Sequence, residues 1–236
     1  MDRQRFIRTE MLLGKEAIEI LSKSHVAVFG IGGVGSFCAE ALARAGVGAL
    51  TLVDDDVVSV SNLNRQLIAL RSTVGRPKVE VMAERIADID PMCRVTALCK
   101  RYVPEERELF FDTHFDYIAD CIDSVSCKTD LILAAHEKTI PIISAMGTGN
   151  KLDPSKLEIT DLSKTSGCPL ARVMRRELKR TGILHHCVVY STELPLKPLF
   201  QPDEGSHVPG SVAWVPSTAG LMMAGHIIQK LLNKNT

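Results

Sequence analysis

The stretch Val26-Ala27-Val28-Phe29-Gly30-Ile31-Gly32-Gly33-Val34-Gly35 admits few conformations, because an apolar run breaks directly into a glycine turn. A second apolar run, Leu50-Thr51-Leu52-Val53, ends in Asp54. The order predicts strand, turn, helix and second strand, the βαβ unit that binds nucleotides. Gly30 and Gly32, with Gly33 beside them, permit a tight turn and close approach of a phosphate to the backbone. Gly35 lets the helix pack against the strand, and the helix start offers free N–H groups to an anion. Asp54 is placed to accept hydrogen bonds from ribose hydroxyls.

Up to Asp54 the fingerprint fits an oxidoreductase that binds NAD(P) or FAD. The next segment, Asp55-Asp56-Val57-Val58-Ser59-Val60-Ser61-Asn62-Leu63-Asn64-Arg65-Gln66, and then Gly75-Arg76-Pro77-Lys78, adds more. A diphosphate cradle does not need Arg65 and Lys78. Two such cations, with Asn62 as a polar partner, suit a triphosphate whose α-phosphorus is attacked. Farther on, Tyr117-Ile118-Ala119-Asp120-Cys121-Ile122-Asp123 reads as a strand running into a loop. That places Asp123 at the carboxyl edge of a parallel sheet, where a carboxylate beside phosphates is a natural Mg2+ ligand. Plainer roles stay open: Asp123 as the N-cap of the next helix, Lys78 as a solvated first-turn lysine, and Arg65 as a surface residue.

Taken together, Gly30-x-Gly-Gly-x-Gly35, Asp54-x-Asp56, Ser61-Asn62-Leu63-x-Arg65-Gln66, Gly75-x-Pro-Lys78 and Asp120-x-x-Asp123 resemble the motif series of the ubiquitin-activating-enzyme-like superfamily, the adenylating proteins of ThiF and MoeB type. The resemblance implies that Asp54 binds ribose, that Asn62, Arg65 and Lys78 surround the phosphates of ATP, and that Asp123 holds Mg2+. Asp56 matches a second acid of the motif without a defined role. Arg5-Phe6-Ile7-Arg8 resembles the short arginine motif that reaches into a partner subunit's ATP site, which implies a homodimer with Arg8 acting in trans.

Two sub-branches of that superfamily are distinguished by what accompanies the ATP motifs. Activators of ubiquitin-like sulfur carriers commonly hold zinc on two Cys-x-x-Cys pairs, and none of the seven cysteines here forms such a pair. Cys38, Cys93, Cys99, Cys121 and Cys127 read as small buried hydrophobes. Cys168 and Cys187 remain as candidate acyl-accepting thiols, with nothing local to lower their pKa. The C-terminal third, with Ile159-Thr160-Asp161-Leu162-Ser163-Lys164-Thr165 and Tyr190-Ser191-Thr192-Glu193, looks like the tRNA threonylcarbamoyladenosine dehydratase branch. That resemblance implies ATP-dependent cyclisation of the threonylcarbamoyl group of a tRNA adenosine through an acyl adenylate. It also allows a monovalent cation (Na+ or K+) near Met146-Gly147-Thr148-Gly149-Asn150 and a sulfurtransferase partner. Activation of a sulfur-carrier protein remains the alternative.

Basic and acidic residues balance at 28 each, so bulk charge points to no nucleic acid, and DNA is not expected as a partner. Locally, Arg172, Arg175, Arg176, Lys179 and Arg180 recur at helical spacing, either as a face for tRNA phosphates or as an ordinary solvated face.

A mean hydropathy of +0.09 excludes broad disorder. The absence of an apolar N-terminal run, together with free cysteines, leads us to expect a cytoplasmic protein. The apolar segment from Ala219 to Leu232 carries His226, Gln229 and Lys230 and reads as a closing helix, with membrane contact at most peripheral.

Strands are expected near 25–30, 49–54, 93–98, 115–120 and 140–145, alternating with helices near 10–22, 34–45, 77–89, 104–111 and 124–137. This alternation predicts an α/β, Rossmann-like, doubly wound and mainly parallel sheet. Residues 1–150 would form the ATP-binding core. Residues 151–236 would form an α+β extension of the same domain, with strands near 157–160 and 186–191, helices near 169–181 and 216–232, and a long loop from about Leu194 to Gly210.

Overall fold

A computed structural model gives the fold and describes residues 3–202 and 208–233. The strands β1 (His25–Phe29), β2 (Ala49–Val53), β3 (Arg94–Leu98), β4 (Tyr117–Asp120), β5 (Ile142–Ala145), β6 (Leu157–Asp161) and β7 (Cys187–Ser191) form one sheet in the order β3-β2-β1-β4-β5-β7-β6. Neighbours run parallel except β6 and β7, which pair antiparallel. The mainly parallel, doubly wound sheet expected from the alternation is therefore present. Chain direction across the sheet reverses at β1, which lies between β2 and β4. A crevice opens at the carboxyl ends of the strands at such a switch point.

The central strands are buried along nearly their whole length because helices cover both faces. On one face α2 (Lys15–Lys23), α3 (Gly35–Ala45), α4 (Lys78–Ile89) and α7 (Trp214–Asn233) contribute Leu21, Leu42, Met82 and Ile227 to a single apolar cluster. On the other face α5 (Val125–Glu137) and α6 (Pro169–Arg180) bring Leu131, Ile132, Met174 and Leu178 against the sheet. Each such side chain contributes roughly 1.5–3 kcal/mol when fully buried. Burial on both faces, more than local propensity, therefore holds these short strands. Among the described residues no helix is long and apolar enough to cross a membrane.

The helix expected over 10–22 is two helices, α1 (Ile7–Leu13) and α2, broken at Gly14. Gly14 adopts φ +85°, which an L side chain resists, while its N–H still bonds the Glu10 carbonyl. The segment expected as a helix over 104–111 is a 3-10 helix, Pro104–Phe110, whose one buried side chain is Phe110. A stretch that anchors a single side chain has no need of a full amphipathic face. The long loop beginning at Leu194 is without helix or strand in its described part, and residues 203–207 of it, including Gly205, lie outside the described residues. Asn150 fastens both of its ends, because its carbonyl accepts from Leu196 and its Oδ1 accepts from Gly210, at 2.8 and 2.6 Å.

His186 precedes β7 and is buried, with Nε2 2.8 Å from Ser144 Oγ. Burial above all, with Lys128 and His136 nearby against a weaker pull from Asp161, lowers its pKa from the ordinary 6.5 to about 3. A base whose folded pKa is depressed stabilises the fold fully above its unfolded pKa and loses that contribution as pH falls. Thermal unfolding of the parent and of His186→Gln should therefore diverge between about pH 6.5 and 3. The parent should lose up to roughly 1.4 kcal/mol per pH unit more than the variant. Parallel pH profiles would contradict a neutral buried imidazole.

Candidate active site

At the carboxyl ends of β1, β2 and β4 the sheet opens into a cavity of about 500 Å3. Its floor is the glycine turn between β1 and α3. Gly30 has φ +88° and donates its N–H to Val53, and a Cβ there would lie 2.7 Å from the Cys121 carbonyl oxygen. A Cβ on Gly35 would lie 1.8 Å from the Gly30 carbonyl oxygen, so helix and strand meet there with no room for a side chain. Gly32 differs, since the nearest atom to a Cβ would be Gln66 Nε2 at 3.8 Å. Gly33 lies against Pro216 of α7. Tight packing thus requires glycine at Gly30 and Gly35, whereas at Gly32 the open side faces the cavity that both it and Gln66 line.

Asp54, at the end of β2, ties this turn to the next segment. Its Oδ2 accepts from the Ile31 N–H at 2.6 Å and its Oδ1 from the Asp56 N–H at 2.9 Å. Burial raises its pKa, while Lys78 and the two N–H donors act in the opposite direction. Lys78 opens α4 with its side chain only 6% exposed, its ammonium 2.6 Å from Asp56 Oδ2 and 3.7 Å from Asp54 Oδ1. It is therefore not the solvated first-turn lysine of the plainer reading.

Asp123 is exposed on the cavity wall, and Ser124 holds the N-cap position of α5, without a side-chain capping bond, so the N-cap alternative for Asp123 also falls. Arg65 lines the cavity with Nη1 held by the Ser61 carbonyl and by Asn64 Oδ1, at 2.9 and 3.0 Å. Asn62 lines it too, but its Oδ1 accepts from the Ser59 N–H at 3.0 Å and closes a 3-10 turn. One of its polar atoms is thus committed to shaping the loop.

The fold brings together Gly30, Gly32, Gly33, Asp54, Asp56, Asn62, Arg65, Lys78 and Asp123 around one space. Gly35 acts from beneath it. Arg8 is not among the lining residues of this single chain. It stands exposed on α1, a helix with no buried residue, whereas Arg5 pairs with Asp90 at 2.6 Å within its own subunit.

Sequence reasoning assigned no role to Gln66, Lys100, Arg101, Tyr102, Thr148 or Ser211, all of which line the cavity. Gln66 is buried and its Oε1 has no hydrogen-bond partner. Lys100 and Arg101 directly follow β3, and their place just past the carboxyl end of a parallel strand was a usable signal. Thr148 and Ser211 arrive only through tertiary contacts. Phe29, Val53, Tyr102 and Ile122 add an apolar wall, with Tyr102 edge-on to Phe29 and its hydroxyl donating to Asp130 at 2.7 Å.

Cys168 and Cys187 do not line the cavity, and burial raises the Cys187 pKa. Cys121 and Cys127 do line it, and burial raises Cys121 well above the usual thiol range. A thiol held protonated is a poor nucleophile. As for metals, carboxylate oxygens of Asp54, Asp55 and Asp56 lie within 4.8 Å of one another, and Asp123 contributes a further carboxylate to the same cavity. Such hard oxygen donors beside a phosphate site fit Mg2+, which is commonly held by one or two carboxylates and the substrate's phosphates.

The ThiF family model matches residues 4–236. This chain belongs to the ThiF family. Within that family it is 46% identical over 241 residues to the tRNA threonylcarbamoyladenosine dehydratase of Bacillus subtilis, covering 96% of this chain and 94% of the relative. The crystal structure of the Escherichia coli tRNA N6-threonylcarbamoyladenosine dehydratase in complex with ATP superposes with a TM-score of 0.91 at 40% identity, covering 99% of this chain and 96% of that one. The molybdopterin-synthase adenylyltransferase of Escherichia coli is more distant, 33% identical over 75% of this ThiF-family chain and 68% of the relative. The resemblance read from the motifs holds, and at the level of the branch as well as the superfamily.

The two kinds of glycine in the turn separate by substitution. Gly35→Ala should destabilise the fold by roughly 3 kcal/mol, because backbone is the obstacle. Gly32→Ala should change stability by less than about 1 kcal/mol. Denaturant melts of both variants test this, and equal losses would contradict the geometry.

Proposed function

We propose that this chain uses ATP to dehydrate N6-threonylcarbamoyladenosine in tRNA, closing a ring by way of an acyl adenylate. The observation that carries the reading is one cavity holding the glycine turn, Asp54, Arg65, Lys78 and Asp123, in a chain 46% identical to a dehydratase of that name. The substrate carboxylate attacks the α-phosphorus of ATP and pyrophosphate leaves. A nucleophilic atom of the same modified base then displaces AMP, which carries away one carboxylate oxygen. No protein nucleophile is required, in keeping with the raised pKa of the Cys121 thiol at the cavity.

In this scheme Gly32 and the start of α3 receive phosphate through backbone N–H groups, and Asp54 accepts from the ribose. Asn62, Arg65 and Lys78 meet the growing charge on the leaving pyrophosphate. Lys78 is already fixed by Asp56, so it loses little freedom when a phosphate takes the place of that exposed carboxylate. Asp123, with the Asp54-Asp55-Asp56 cluster near, would hold Mg2+, which supplies positive charge to the phosphates. A monovalent cation (Na+ or K+) near Met146-Gly147-Thr148-Gly149-Asn150 would complete the cofactors of this reading.

Two surfaces complete the reading. The helix α1 exposes Ile7, Met11 and Leu12, and a second copy covering this apolar face would carry Arg8 with it, making a homodimer with Arg8 acting in trans. On α6, Arg172, Arg176, Lys179 and Arg180 are exposed while Arg175 turns inward to Thr165. The outer four would take tRNA phosphates, with Glu177 already paired to Arg176 and Arg180. Residues 151–236 would thus supply substrate-binding elements to the ATP-binding core.

Pyrophosphate release tests the function with three substrates: tRNA bearing threonylcarbamoyladenosine, the same tRNA lacking it, and a sulfur carrier ending in Gly-Gly. Release with the modified tRNA alone, with loss of one water from the nucleoside mass, is expected. Release with the carrier alone would move the chain to sulfur transfer. Asp123→Ala and Arg65→Ala should each lower the rate by about 100-fold or more with unchanged melting temperature. Reversing charge at Arg172 and Lys179 should weaken tRNA binding and flatten its log–log salt dependence by about two units, leaving ATP affinity unchanged. An unaltered salt slope would remove α6 from the RNA surface.

A further inference from the structure

Beneath the loop that carries Asp123 lies an ion pair shut off from solvent. Lys128 Nζ is 2.7 Å from Asp120 Oδ2, and both side chains are fully buried. Neither is among the cavity-lining residues. Among the described residues no other ion pair has both partners fully buried. Such a pair is weak evidence for stability, since desolvation offsets most of the Coulomb attraction. Its geometry suggests another use.

Asp120 is the last residue of β4, in register with Phe29 of β1 and Ser144 of β5. Its second oxygen, Oδ1, accepts from the Ile122 N–H at 3.1 Å, one residue before Asp123. The intervening Cys121 donates its N–H to the Phe29 carbonyl at 2.8 Å, and its own carbonyl overlies Gly30. On the far side of the loop, Lys128 lies in the first turns of α5 and donates its backbone N–H to Ser124 at 2.9 Å. One carboxylate therefore fastens both ends of the segment, the loop through Oδ1 and the helix through Oδ2. The neighbouring His186, whose pKa burial lowers, is bonded to Ser144 and adds no second cation to compete with Lys128 for Asp120.

We infer that Asp120 is a positioning residue for Asp123: the bond from Ile122 to Asp120 sets where the Asp123 carboxylate stands beside the glycine turn, and Lys128 supplies the charge that lets a carboxylate be buried there. The inference rests on the assignment of Asp123 to the ATP site.

Two double variants separate positioning from plain structural support. Asp120→Asn with Lys128→Met removes both charges but keeps an Oδ1 acceptor for Ile122. It should stay folded, keep the Ile122 amide protected from hydrogen exchange, and release pyrophosphate within about threefold of the parent. Asp120→Leu with Lys128→Met keeps buried volume but removes the acceptor. If folded, it should lose about 30-fold or more in kcat and need about 10-fold more Mg2+ for half-maximal rate, with KM for tRNA unchanged. Equal activity of the two folded doubles would overturn the inference.

Should the leucine double fail to fold, the asparagine double decides alone. Full activity with a protected Ile122 amide, or loss of both together, supports positioning, whereas full activity with an unprotected amide or lost activity with a protected one overturns it. The parent runs in the same assay. If the parent is silent with every substrate, the proposed reaction fails, and affinity for ATP with Mg2+ then carries the same comparison between variants.

Discussion

A single carboxylate, that of Asp54, joins three segments of chain that must meet for the cavity to exist. It accepts the Ile31 N–H from the glycine turn and the Asp56 N–H from the strand's own exit, and it lies 3.7 Å from the Lys78 ammonium at the start of α4. Such a group, nearly buried, is costly to ionise unless several donors converge on it. Here they do, and the convergence fixes the distance between turn, loop and helix. The close contact of Gly35 with Gly30 and of Gly30 with Cys121 follows from the same crowding. Backbone meets backbone where the turn contacts α3 and the end of β4, while the space beside Gly32 stays open.

Charge is arranged locally in a chain that is neutral as a whole. Arg65, Lys78, Lys100 and Arg101 line one cavity, matched by Asp54, Asp55, Asp56 and Asp123. Fixed charges of both signs, held partly out of water, suit a reaction in which a polyanion is bound and then divided. Protein groups hold these side chains in place: Arg65 is held by Ser61 and Asn64, Lys78 by Asp56. This reduces the reorganisation that binding would otherwise require.

Much of this was legible in the chain because βαβ units carry their register locally. Alternating apolar runs and glycine punctuation identified every strand of the sheet to within a few residues, and the motif residues fell around the crevice that a switch point creates. Local reasoning missed where a feature depends on one backbone angle or on a distant partner. Gly14 lies inside an otherwise helical pattern, and only its φ of +85° shows that the helix ends there. Gln66 was visible as a letter in a motif, yet its unpartnered buried Oε1 is a property of the packed loop.

The sequence by itself determined the fold class, the glycine turn, the acids at the strand ends and the family, because each depends on residue types at short, fixed spacing. Only tertiary structure decided that Lys78 is buried against Asp54 and Asp56, that Ser124 and not Asp123 stands at the N-cap position of α5, and that Asp120 and Lys128 form a sealed pair. Tertiary structure also decided that Thr148 and, from the C-terminal third, Ser211 line the cavity. The reason is physical: burial and the pairing of charges depend on which distant segments exclude water from a site, and no local spacing of residues encodes that.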